Sequence, residues 1–154
     1  MKRILYLSLI IIALLTGCTE KSQGTADIEI QALANGLIDS GCFSENLGRL
    51  DLDITISLYG IEESSIEDAV CYASTGATAE EIALFECADQ ASANAVETAC
   101  EKRVSNQADA YKAYAPLEVE KLDNAVIRVI GNYVLLCVSN DKDAAVTVID
   151  SFTQ

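Results

Sequence analysis

The stretch Asn124-Ala-Val-Ile-Arg-Val-Ile-Gly131-Asn132-Tyr-Val-Leu-Leu-Cys-Val-Ser139 decides the fold. Two apolar runs rich in β-branched residues flank a Gly-Asn pair, which suits the two-residue primed turn joining adjacent antiparallel strands. Such a turn sets the register: Ile130 faces Tyr133, Arg128 faces Leu135 and Val126 faces Cys137. Ile127, Val129, Val134, Leu136 and Val138 then share one wholly apolar face, which should lie against helices. The other face carries Val126, Arg128, Ile130, Tyr133 and Leu135. It mixes apolar and aromatic groups with one Arg, so it is the candidate contact surface, unless the N-terminal helix covers it.

Upstream of this hairpin, Val70 to Ser74 and Ile82 to Cys87 read as two more strands, joined by a Gly-containing turn over Thr75 to Thr78. Helical spacing marks three segments. The first has Asp27 as its N-cap, apolar positions at Ile30, Leu33, Ala34 and Leu37, and a stop at Gly41. The longest runs from about Gln90 to Tyr114, with Ala93, Val96, Cys100, Val104, Ala108 and Tyr111 on one face, and the single proline, Pro116, ends it. The last starts from a Ser139 or Asn140 cap and buries Ala145, Val148, Ile149 and Phe152. Between Phe43 and Gly60 the apolar residues alternate as in a strand, yet Leu47 to Tyr59 also fits helical turns; the pattern leans to helix. Residues 43–69 and the strand order stay open. The expectation is an α+β domain: an antiparallel sheet of about four strands in two hairpins, packed with amphipathic helices.

The N-terminus carries a delivery signal. Met1, Lys2 and Arg3 precede an apolar run from Ile4 to Leu15, broken at Ser8. About 12 residues of helix rise roughly 18 Å, short of the ~30 Å hydrocarbon core of a bilayer, so removal is expected rather than a permanent span. Leu15-Thr16-Gly17-Cys18 then resembles the bacterial lipobox, with Cys18 as the lipidated residue. On this reading residues 1–17 are a lipoprotein signal peptide, 18–27 the lipidated cysteine and tether, and 28–154 a single domain on the extracytoplasmic face of the cell membrane. Eight small and polar residues, Thr19 to Ala26, reach at most ~29 Å, so the domain stays near the lipid.

Without Lys2 and Arg3 the chain holds 24 acidic against 8 basic side chains. That balance argues against nucleic acid, whose phosphates want Lys and Arg, and against lying flat on anionic headgroups. A soluble, charged surface and a monomer are expected. The chain has no histidine. This removes the commonest general base, a usual zinc ligand, and any Ser-His-Asp or Cys-His arrangement. Carboxylate neighbours remain at Asp51 and Asp53, Glu62 and Glu63, Glu67 and Asp68, and Glu80 and Glu81, all read as solvated surface. Neither Asp51 with Asp53 nor Asp141 with Asp143 offers the ligands of a calcium loop. No cofactor and no metal are expected.

Ser74-Thr75-Gly76-Ala77-Thr78 invites comparison with a phosphate cradle, but it has one Gly, no Lys, and Glu80 and Glu81 just beyond it, so it reads as a turn. Lys102 and Arg103 read as the wet face of the long helix. Cys42, Cys71, Cys87, Cys100 and Cys137 are odd in number and lack Cys-x-x-Cys spacing; buried unpaired thiols are expected, the alternative being one cross-strand disulfide from Cys71 to Cys87 or Cys137.

Three segments carry a resemblance that spacing alone does not supply: Leu58-Tyr59-Gly60-Ile61, Tyr72 to Cys87, and Lys121 to Val138. They are similar to domain of unknown function 4358, a family of small Gram-positive lipoproteins. The resemblance implies export, lipidation and an α+β domain, and it brings no catalytic residue to any position. Two functions are compatible with the sequence. One is a non-catalytic binding or accessory module with a protein or peptide partner at the cell surface; the other is a carboxylate-based hydrolase of cell-wall or environmental polymers.

Overall fold

The computed structural model describes residues 27–153. The expected signal segment, Cys18 and the expected tether from Thr19 to Ala26 lie outside the described residues. In chain order the elements are α1 (Ile30–Asp39), β1 (Gly48–Arg49), α2 (Leu52–Tyr59), a 3₁₀ turn (Glu63–Ser65), β2 (Ile66–Ala73), β3 (Glu81–Cys87), α3 (Gln90–Tyr111), α4 (Pro116–Asp123), β4 (Val126–Ile130), β5 (Tyr133–Val138) and α5 (Lys142–Thr153). The five strands form one antiparallel sheet in the order β1-β2-β3-β5-β4. The α+β class holds, with one strand more than the four expected.

The β4–β5 hairpin has the register its turn dictates, Ile130 opposite Tyr133, Arg128 opposite Leu135 and Val126 opposite Cys137. Gly131 supplies the positive φ of 58° that a primed turn needs. Strands β3 and β5 lie inside the sheet and are buried along nearly their whole length, so both of their faces must be covered. On one side Ile82, Leu84, Leu135 and Cys137 meet Leu33 and Leu37 of α1 and Ala145 and Ile149 of α5. On the other, Ala83, Phe85, Val134 and Leu136 meet Val96 and Cys100 of α3, Leu122 of α4 and Tyr59 of α2. The result is three layers, helices on both sides of the sheet.

That layering corrects the candidate contact surface in favour of its alternative: the N-terminal helix covers the face, and α5 covers it as well. Val126, Tyr133 and Leu135 are 7%, 8% and 4% exposed beneath α1 and α5, and Ile130 packs against the same cluster. Arg128 is engaged too, donating from Nη1 to Asp150 on α5. The face continues the apolar side of β2 and β3, so two amphipathic helices bury more apolar area there than solvent exposure would leave.

Other differences are local. Asp27 does not cap α1, which begins at Ile30 with Glu29 in the cap position. The stretch from Phe43 to Gly60 holds both forms, the two-residue β1 and the helix α2. Strand β2 starts at Ile66 rather than Val70, the early pairing made possible by a bulge between Ile66 and Asp68. The long helix stops at Tyr111, and Pro116 opens a further helix, α4, at the first-turn position where a missing N–H costs nothing. Asp141 caps α5, accepting from Ala144 N at 3.0 Å, in place of Ser139 or Asn140. Phe152 is 37% exposed and lies over Gly36 of α1.

Cys42, Cys71, Cys87, Cys100 and Cys137 are all buried and unpaired. Register explains why the cross-strand disulfide is not formed: Cys71 stands opposite Ala83, Cys87 opposite Ile66, and Cys137 opposite Ile82 and Val126.

Candidate functional site

Glu80 and Glu81 overturn the surface reading, since each is 1% exposed. Consecutive residues of an extended chain project to opposite sides, so the two carboxylates enter different layers. Glu80 accepts from Ser44 N at 3.0 Å, Ser44 Oγ at 2.6 Å and Lys121 Nζ at 2.9 Å. Glu81 accepts from Arg103 Nε at 3.2 Å and Nη2 at 2.8 Å, from Gln107 Nε2 at 3.3 Å, and from the Tyr59 hydroxyl. A buried charge needs such partners, and each carboxylate has a cation and several donors.

Helix geometry delivers both cations. Arg103 and Gln107 continue the spacing of Ala93, Val96 and Cys100 along α3, so they point at the sheet and not, as the sequence reading had Arg103, into solvent. Lys102 is exposed. Lys121 follows one turn behind Glu118 on α4 and bridges to its Oε2 at 3.2 Å, while that same oxygen accepts from Ala79 N at 2.8 Å. Desolvation alone would lower the Lys121 pKa, but the bonds to Glu80 and Glu118 outweigh it and the net shift is upward. Lys121 therefore stays an ammonium and does not act as a base at neutral pH. Burial, followed by the charge of Glu81, raises Tyr59 well above the ordinary range, so it is a fixed donor.

Lys121 and Ser44, the partners of Glu80, line a surface cleft of about 790 Å³ between α4, the Ser44 loop and the start of α5. Glu118, Glu120, Asp141 and Asp143 line it, with Lys121, Lys142, Asn124 and Ser44. Nearby, the loop that invited the cradle comparison is filled from within the chain. Ser74 and Thr78 donate their hydroxyls to Glu45 Oε1, the second at 2.6 Å, and these bonds hold the Glu45 carboxyl below its usual pKa.

The remaining acidic neighbours, Asp51 and Asp53, Glu62 and Glu63, Glu67 and Asp68, are exposed. Among the described residues no group of three or more His, Cys, Asp or Glu comes together to hold a metal ion. Gln107 Oε1 is a buried oxygen without a hydrogen-bond partner among the described residues.

These features define a class: a helix-clad antiparallel sheet whose entry to β3 is secured by one buried ion pair on each face. The chain belongs to the family described as Domain of unknown function (DUF4358), whose model matches residues 44–139. The match takes in Ser44, Glu80, Glu81, Arg103 and Lys121, and leaves out α1 and α5. A search among curated proteins and another among solved structures each found no match.

Proposed function

We propose that the chain is a lipoprotein held by acyl chains on Cys18 at the extracytoplasmic face of the cell membrane, and that its domain is a non-catalytic binding module. Its ligand or partner segment sits in the cleft over Lys121. Support for the anchor comes from the apolar run, the lipobox-like Leu15-Thr16-Gly17-Cys18 and the short polar tether.

One observation carries the binding half: the cleft's Lys121 ammonium and Ser44 hydroxyl are both spent on the buried Glu80. Ser44 Oγ does point at a carboxylate, as a nucleophile points at its base. Yet Glu80 already accepts from Lys121 and from the amide of Ser44, so taking the hydroxyl proton would break the ion pair that keeps it buried. The rim offers more carboxylates than cations, which suits a ligand or peptide bearing amino groups and disfavours nucleic acid.

The experiment uses the full chain in its own cells. Crosslinking should recover partners that are lost when Asn124→Trp fills the cleft and Glu120→Lys reverses charge on its rim, with the melting transition unchanged. Fatty-acid label should enter the chain and be lost with Cys18→Ala. Release of soluble wall fragments by the purified chain, abolished by Ser44→Ala, would overturn the binding reading and make it a hydrolase.

A further inference from the structure

The sheet has two edges, and its backbone groups are treated differently at each. Ser74 N donates to the Glu80 carbonyl at 3.0 Å. The alternation of an antiparallel ladder therefore turns Asp68, Val70 and Tyr72 of β2 toward β3, and Ala69, Cys71 and Ala73 outward. That outward side is covered. β1 pairs with Tyr72 and Ala73, Leu50 N donates to the Cys71 carbonyl at 2.9 Å, and Asp68 Oδ1 accepts from Ala69 N at 2.8 Å. The bulge between Ile66 and Asp68 and the exposed carboxylates of Glu67 and Asp68 discourage any further pairing.

At the other edge, β4 has none of these devices. Cys87 N donates to the Asn132 carbonyl at 2.8 Å, which turns Val134, Leu136 and Val138 toward β3 and leaves Tyr133, Leu135 and Cys137 to bond β4. Their partners are Ile130, Arg128 and Val126, so the N–H and C=O of Ile127 and Val129 point away from the sheet. Those four groups make no hydrogen bond among the described residues, and no strand among them lies beyond β4. The strand Val-Ile-Arg-Val-Ile has no proline, bulge or acidic residue, and its one charge is spent on Asp150 of α5. Such an edge is a template for one more strand.

We propose that β4 is a docking edge for an extended, basic segment of another protein, which adds to the sheet as a sixth, antiparallel strand. The alternation of side chains sets the chemistry of that segment. Ile127 and Val129 are half-buried on the α3 side, so the residues opposite them gain by being apolar. The residue between those two comes over the Arg128–Asp150 pair on the α5 side, where a hydroxyl fits better than a hydrocarbon. The net charge of −14 favours lysine or arginine at the flanks. A second copy of the chain fits worse. The register that pairs Ile127 of each copy with Val129 of the other sets Arg128 opposite Arg128 and brings two strongly acidic domains together. None of β4 lines the cleft over Lys121, so the two sites are tested independently.

The test is amide hydrogen exchange, read by NMR on the full chain in mild detergent, with the peptide Lys-Thr-Val-Thr-Val-Thr-Lys as probe. In the chain alone, Ile127 and Val129 should exchange rapidly while Arg128 and Ile130, bonded to β5, are protected. Saturating peptide should slow Ile127 and Val129 by about tenfold or more and leave Ala69 unchanged. The same peptide N-methylated at both valines keeps its side chains but loses the two donors that face β4, and it should protect neither residue. Val129→Pro removes an outward N–H and no bond to β5, so the peptide should no longer protect Ile127. Whatever that proline does to the fold, the methylated peptide decides on the parent chain. Slow exchange of Ile127 and Val129 without peptide would overturn the proposal, because the edge would then be covered by residues 1–26 or by a second copy. No added protection at millimolar peptide would also overturn it, leaving water as the partner of the edge. So would equal protection by the methylated peptide.

Discussion

Arg103 grips Glu81 through two bonds at 3.2 and 2.8 Å, across 22 residues of chain, with the carboxylate 1% exposed and Tyr59 donating to it from α2. One pair thus joins β3, α3 and α2. Removing only one partner leaves a buried charge uncompensated. Arg103→Leu or Glu81→Leu alone should each cost about 3–5 kcal/mol in urea unfolding, while the double substitution should recover most of that loss. Equal losses for the single and double variants would show that the hydrogen bonds from Tyr59 and Gln107 matter more than the ion pair.

Glu45 gives a pH signature. Its folded pKa lies below its ordinary 4.5 because Ser74 and Thr78 donate to it. A depressed carboxylate pKa stabilises the fold above the unfolded value, and that contribution is lost as pH falls through the folded value. The tie between Glu45 and the Ser74 loop should therefore survive at pH 5 and loosen below 4.5. Carbon-detected NMR titration of the Glu45 carboxyl should show the low midpoint, and Ser74→Ala with Thr78→Val should return it toward 4.5.

Leu136 and Val96 face each other's layer at 0% exposure. Leu136→Asp and Val96→Asp should each cost several kcal/mol, enough to unfold the domain at room temperature. Ile54 on α2 is 50% exposed, and Ile54→Asp should stay within about 0.5 kcal/mol of the parent chain. Circular dichroism melts separate the two cases.

Gly36 is the close-approach point of α1 and α5, where an added Cβ would lie 3.1 Å from the Phe152 ring and 3.3 Å from Val148. Ala gains about 1 kcal/mol of helix propensity over Gly. Phe152 is partly exposed and has room to swing, so Gly36→Ala should come out near neutral. Gly36→Leu, which must displace both neighbours, should lower the melting temperature by several degrees.

The β4–β5 hairpin was legible to the register because a two-residue turn leaves one pairing, and its chemistry is local. The long helix was legible along its apolar positions, but the same spacing also carries Arg103 and Gln107 inward, and reading charge as surface hid them. Glu80 and Glu81 were missed for the same reason. An Asp or Glu is nearly always exposed unless paired, and the pairing cations sit 22 and 41 residues away. A local signal did exist: two carboxylates directly opening a run of buried apolar residues, with a cation on the inner stripe of the next helix. For the Arg128 face of the hairpin, cover by the N-terminal helix was legible as an alternative, but the share of α5 was not, because one Arg looked like an exposure mark. Its partner, Asp150, lies on a helix whose placement only the whole fold determines.

The family segment ends before α5 and begins after α1, yet those two helices supply most of the cover over the side of the sheet bearing Tyr133 and Leu135. A fragment trimmed to residues 44–139 would present that apolar side bare, and it should aggregate rather than fold. Synthesis runs from the N-terminus, so Ala145 and Ile149 are the final pieces of the seal to arrive. Until α5 emerges, one side of the sheet has a single helix over it. Any stop codon placed after β5 therefore acts on the whole molecule, leaving a product with every strand present and one wall missing.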